Sequence, residues 1–120
     1  MTARSGPAFK LIDAAEWTVA FGTGRYDGSA VDRADGYIHM STATQLAETA
    51  RRHYAGRSGL TLLTVDPTVL GKALLWEPSR GGDLFPHLYG PLPVDAVRAV
   101  RALTVTDDGL MQFEDGGTAP

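Results

Sequence analysis

Three stretches of the chain bring imidazole, phenol, hydroxyl and carboxylate groups together at spacings that suit a polar ligand. In Tyr37-Ile38-His39-Met40-Ser41, the period of two in a strand sends Ile38 and Met40 to one face and Tyr37, His39 and Ser41 to the other. The first face is core. The second offers an aromatic ring, an imidazole and a hydroxyl in line, a surface for a polar ligand with a flat ring. In Trp76-Glu77-Pro78-Ser79-Arg80 a carboxylate stands beside a large aromatic at a strand end, where partial desolvation next to a cleft would poise it. Arg80 follows as a candidate ligand contact. In Phe85-Pro86-His87-Leu88-Tyr89-Gly90-Pro91 two prolines stiffen the backbone, and an extended conformation turns Phe85, His87 and Tyr89 to one side. Fixed histidine and tyrosine are what a preorganised pocket requires.

Each stretch has a plainer structural role open to it. His39 can bond a backbone carbonyl, and Ser41 can cap the helix that follows. Glu77 and Arg80 can form a surface ion pair, and a tyrosine hydroxyl bonded to His87 would serve packing as well as a pocket. His39, His87 and Glu77 could also make a three-ligand zinc site with an open position. No close ligand spacing of the HExxH kind occurs, so metal-assisted hydrolysis ranks last and no metal is expected.

The elements that must position these groups follow from periodicity and punctuation. Phe9 to Ile12 reads as a strand, and Asp13 with Glu16 reads as a capping box opening a helix that ends near Gly22-Thr23-Gly24. Arg25 to Gly36 is polar and glycine-containing, with turn signals at Asp27-Gly28-Ser29 and Ala34-Asp35-Gly36, and is expected to be a surface loop. Tyr37 to Met40 is a strand. Ser41 or Thr42 caps a helix whose Leu46, Ala50 and Tyr54 share a face, with Gly56 at its C-terminal end. Leu60 to Val65 is a buried strand and Lys72 to Glu77 the next. Pro78 to Pro93 holds four of seven prolines and three of 14 glycines, which predicts a long ordered loop with one short extended piece. A helical turn at Pro93 to Ala96, a strand over Val97 to Val105, a turn at Asp108-Gly109, a short strand over Leu110 to Phe113 and a disordered tail complete the chain.

Helices gather early and strands late, so the expectation is one α+β domain over residues 1–120, with an ordered core about 8–114. Acidic residues outnumber Lys and Arg by 14 to 11, the formal net charge is -3, and the pI is near 5.5, so no nucleic-acid partner is expected. Cysteine is absent, which excludes disulfides and a thiolate nucleophile. No apolar run approaches the roughly 20 residues of a membrane span, and a cytoplasmic protein with no membrane partner is expected. The sequence sets no oligomeric state.

The pieces Asp35-Gly36-Tyr37-Ile38-His39-Met40-Ser41-Thr42, Trp76-Glu77 and Phe85-Pro86-His87-Leu88-Tyr89-Gly90, in this order, resemble domain-of-unknown-function family 952, with similarity running from Phe9 to Leu103. The resemblance implies the split two-sheet fold of ADP-ribosyltransferases: mixed or antiparallel sheets with two helices packed against them. It also implies a cleft that holds NAD or another nucleotide or ribosyl compound, with NAD as a substrate rather than a resident cofactor. In that picture Glu77 and His39 are the catalytic candidates, Glu77 steadying a ribosyl cation by the electrostatic logic of glycosidases. His39 and Ser41 would contact ribose, Tyr37 or Tyr89 would stack on a ring, and Arg80, His87 and Tyr89 complete the ligand contacts. The chain departs from active transferases of that fold at Lys10, where they commonly carry arginine or histidine. A binding module with the same pocket and no turnover is the alternative the departure favours.

Overall fold

The computed structural model describes residues 6–120, apart from the side chain of Arg80, which lies outside the described residues. The first sheet is built from β1 (Ala8–Asp13), β4 (Leu60–Val65), β8 (Val97–Val105) and β9 (Met111–Phe113), in the order β1-β4-β8-β9. A two-stranded ribbon pairs β2 (Arg25–Tyr26) with β7 (Leu92–Pro93). The third sheet sets β6 (Leu84–Leu88) between β3 (Ile38–His39) and β5 (Leu74–Pro78). Every pairing is antiparallel, and the α+β class is as expected.

The first sheet is covered on both faces, and its sequence says why. β1 and β4 read AFKLID and LTLLTV, near-continuous apolar runs of the kind a strand buried on both sides needs. One face packs Phe9, Leu11, Leu62 and Leu103 against Leu46 and Ala50 of α3 (Ala43–Tyr54). The other packs Ala8, Ile12, Leu63 and Val65 against Ala20 of α1 (Ala14–Thr23) and against Ile38, Met40 and Leu88 of the third sheet. The two larger sheets join at a two-bond bridge, Phe9 N–H to Ser41 O at 2.7 Å and Ser41 N–H to Phe9 O at 2.9 Å.

Several expectations are corrected. The segment expected as a surface loop contains β2 and a third helix, α2 (Ala30–Asp35). The polar residues taken for turn signals are its caps: the Ser29 hydroxyl accepts from the Asp32 N–H at 3.1 Å, and Asp32 Oδ2 accepts from the Ser29 N–H at 3.0 Å. Asp13 stands at the N-terminus of α1 but makes no side-chain cap; its carboxylate takes Arg57 at 2.5 Å, while Glu16 accepts from the Tyr26 hydroxyl at 3.0 Å. Of the two caps expected for α3, Ser41 or Thr42, it is Thr42 that caps it, with Gln45 Oε1 accepting from the Thr42 N–H at 3.0 Å.

The proline-rich segment, expected as a long ordered loop with one short extended piece, holds a five-residue strand that is the centre of the third sheet. Proline is normally confined to sheet edges because it cannot donate to the ladder. Pro86 is tolerated here because its carbonyl still accepts from the Met40 N–H at 3.0 Å, just beyond the end of the two-residue β3, so only a terminal rung is lost.

The tail is tied down rather than disordered. The Arg101 guanidinium lies 3.8 Å from the Phe113 ring centroid, bonds Asp115 at 2.8 and 3.0 Å, and donates to the Thr118 carbonyl at 2.9 Å. Arg101→Ala is therefore expected to accelerate proteolytic trimming after Phe113 and to leave the melting temperature almost unchanged, since the clamp is on the surface. Equal trimming rates for variant and wild type would contradict it.

Candidate functional site

The register of the third sheet assembles the site. β3 and β6 place His39 opposite His87 and Ile38 opposite Leu88. One side of this pair is buried among apolar residues, and the other carries the imidazoles. Tyr37 stacks on His87 with ring centroids 4.1 Å apart and lies 4.5 Å from His39 and 5.1 Å from Tyr89. The division of Tyr37 to Ser41 expected from strand periodicity is observed in part: Ile38 and Met40 are buried in the core and His39 and Ser41 line a cleft, but Met40 also borders that cleft and Tyr37 does not.

The cleft has a volume of about 500 Å³ and runs between the third sheet and α3, reaching Lys10 of β1 and Asp32 and Asp35 of α2. Ser41 is buried, and its hydroxyl shares a hydrogen bond of 2.9 Å with Thr49 of α3. His87 is buried as well and lines the same cleft. Tyr37, Glu77 and Tyr89 do not line it. They form an adjoining cluster in which one carboxylate oxygen, Glu77 Oε1, takes His87 Nδ1 at 2.8 Å and the Tyr89 hydroxyl at 2.8 Å. The His87 bond, and then the Tyr89 bond, hold the Glu77 carboxyl below its ordinary pKa. The same pairing pushes the Tyr89 hydroxyl up.

Asp32 is the residue that the sequence did not single out. It is 2% exposed and accepts from His39 Nδ1 at 2.6 Å, from the His39 N–H at 3.1 Å, and from Lys10 Nζ at 3.0 and 3.2 Å. Burial alone would push its carboxyl up, but the bond to His39, the Lys10 charge and the backbone donors together outweigh it and hold the group well below the usual carboxylate range. Lys10 is 7% exposed, and burial depresses its ammonium pKa against the opposing pull of Asp32. The signal for Asp32 was present in Ser29-x-x-Asp32, a helix-start signature with Asp in place of Glu.

Chemically, the arrangement offers oriented donors, hydroxyls and a ring surface. The three carboxylates that bond the imidazoles, Asp32, Asp35 and Glu77, are already engaged, which suits holding a ligand or steadying a positive charge better than abstracting a proton. Among the described residues no group of three or more His, Cys, Asp or Glu side chains is arranged to hold a metal, and no helix is long and apolar enough to cross a membrane.

Most of the chain is similar to a solved bacterial protein. The crystal structure of protein CC0527 from Caulobacter crescentus shares 46% sequence identity, covers 88% of this chain and 93% of its own, and superposes with a TM-score of 0.84. The solution NMR structure of CC0527 shares 47% identity over 86% of this chain and 89% of its own, with a TM-score of 0.76. No curated protein matches the chain. The model of the family described as "Protein of unknown function (DUF952)" matches residues 11–100, three quarters of the sequence and all of the site between Asp32 and Tyr89, and the chain belongs to that family.

Proposed function

We propose that this chain is an ADP-ribosyltransferase-like domain whose cleft binds a nucleotide or ribosyl compound, as a binding module. The observation that carries the reading is the pair of imidazoles, His39 and His87, lining a cleft that also holds Lys10 and Ser41, with the Tyr37 ring packed against both from outside it. A flat base or nicotinamide matches the rings, sugar hydroxyls match the Ser41–Thr49 pair, and phosphate charge matches the cations. Two antiparallel sheets joined at the Phe9–Ser41 bridge, with the cleft alongside, support the likeness to the split two-sheet fold.

Calorimetric titration with NAD, ADP-ribose and AMP tests it. At least one of them binds with Kd below about 1 mM, and His39→Ala weakens it by about tenfold, as loss of one ligand hydrogen bond would. No binding by the wild type at millimolar concentration removes the reading. Turnover is the second reading, favoured by one observation: the Glu77 carboxylate is pinned by His87 and Tyr89 in its ionised form, as a group that steadies a ribosyl cation must be. Product analysis with NAD separates the two, because Glu77→Gln would abolish product while sparing affinity.

A further inference from the structure

Four charged or titratable side chains cross the cleft in a row, from β1 to the end of α2: Lys10, Asp32, His39 and Asp35. Asp32 takes His39 Nδ1, and Asp35 Oδ2 takes His39 Nε2 at 2.9 Å. A ring that carries both protons satisfies both carboxylates at once. Two cations then face two anions, and the row is neutral.

The two carboxylates are unequal. Asp32 is buried under five donor contacts, and withdrawing it would strand the Lys10 ammonium in the interior. The Asp35 side chain is 48% exposed, sits on the last residue of a six-residue helix, and is followed by Gly36 in the left-handed conformation, φ 91°. An exposed ion pair of this kind contributes little, so Asp35 can turn into water at small loss. Its departure leaves one net positive charge and an N–H donor at His39 Nε2, beside a cleft lined further by Ser41, Thr49 and Arg57.

We propose that Asp35 is an internal stand-in for an anionic ligand group: His39 Nε2 is the donor of a phosphate subsite, and a ligand phosphate displaces the Asp35 carboxylate to occupy it. This rests on the reading that the cleft takes a nucleotide or ribosyl compound, and it names the part of that ligand that His39 meets.

The test is an NMR titration with inorganic phosphate, followed at the backbone amides of residues 35–41 in every protein and also at the His39 ring signals where that ring is present, for the wild type, Asp35→Asn, Asp35→Ala and the control Asp108→Asn. Asp108 is an exposed turn residue outside the cleft, so its variant changes net charge by the same amount. Both Asp35 variants are expected to bind phosphate about tenfold tighter than wild type, as one recovered charge-assisted hydrogen bond gives, while the control does not. Adding His39→Gln to Asp35→Asn abolishes the gain. Unchanged or weaker phosphate binding in both Asp35 variants, or an equal gain in the control, overturns the proposal. ADP-ribose titrated into the same proteins keeps the two readings apart: a phosphate gain without any ADP-ribose binding retains the subsite and ends the ribosyl reading, and ADP-ribose binding without a phosphate gain does the reverse.

Discussion

Asp32→Ala is expected to be the most damaging single polar substitution in the molecule. It removes the partner of a buried ammonium, one hydrogen bond to the His39 ring and one to its N–H, and the side-chain half of the capping box that starts α2, in which Asp32 Oδ2 accepts from the Ser29 N–H. Breaking a buried ion pair from one side costs about 3–5 kcal/mol, because the other charge is left uncompensated. At about 4 °C per kcal/mol for a domain of this size, the melting temperature falls by about 12–20 °C. Lys10→Met should cost less, since Asp32 keeps its donors from His39 and Ser29. Thermal denaturation of the two variants checks the order, and a Lys10→Met protein less stable than Asp32→Ala would refute it.

The same carboxylate sets part of the acid limb of stability. Its folded pKa is held below the ordinary value, so the unfolded chain binds the proton more readily than the folded one. The stabilisation is complete above the ordinary carboxylate range near about pH 4, and it is lost as pH falls from there through the lower folded value. In Asp32→Asn that part of the slope disappears.

Gly28→Ala is expected to have the next largest effect, by pressing on the same group. Gly28 adopts φ 100°, and an added Cβ would lie 2.9 Å from Asp32 Cβ and 3.4 Å from both Asp32 Oδ2 and Ile38 Cγ1. The left-handed conformation costs a side chain about 1–2 kcal/mol, and the forced shift of a packed helix brings the total to about 2–4 kcal/mol. Gly24→Ala is the matched comparison: its φ is 91°, but nothing lies within 4 Å of the added atom, so only the strain remains. Gly28→Ala should therefore lower the melting temperature clearly more than Gly24→Ala and should weaken ligand binding too, because Asp32 orients His39. Equal melting temperatures for the two variants would show that the Asp32 contact yields without cost.

Much of this was legible in the sequence where period and composition agreed. Leu60–Val65 and Val97–Val105 occupy the residues expected, and the alternation over Tyr37 to Ser41 places Ile38 and Met40 in the core as the strand period requires. The failures share a physical cause. In Arg25 to Gly36 and in Pro78 to Pro93, Ser, Asp, Gly and Pro read as breakers, yet those residue types also cap short helices and occupy the last rung of a ladder. Only the partner element decides which. Asp32 went unnoticed for the same reason: its partner Lys10 stands 22 residues away, and no local pattern links them. Glu77, His87 and Tyr89 were expected to share a site and are within hydrogen-bonding reach of one another, but the shape of the cleft, which takes in His87 and leaves Glu77 and Tyr89 outside, has no signature in the chain.

The pairing of His39 with His87 and of Ile38 with Leu88 has a consequence for how such a domain diversifies. Around these strands, odd-numbered residues meet the side carrying the imidazoles, where the ligand is proposed, and even-numbered ones the core, so mutations that would retune that site and mutations that threaten folding fall on separate sets of neighbouring codons. A lineage can exchange Tyr37, His39, Ser41, His87 or Tyr89 for a new small molecule while Ile38, Met40 and Leu88 stay under purifying selection for the fold. Asp32 is where the two sets overlap, and descendants that change ligand should retain it longest.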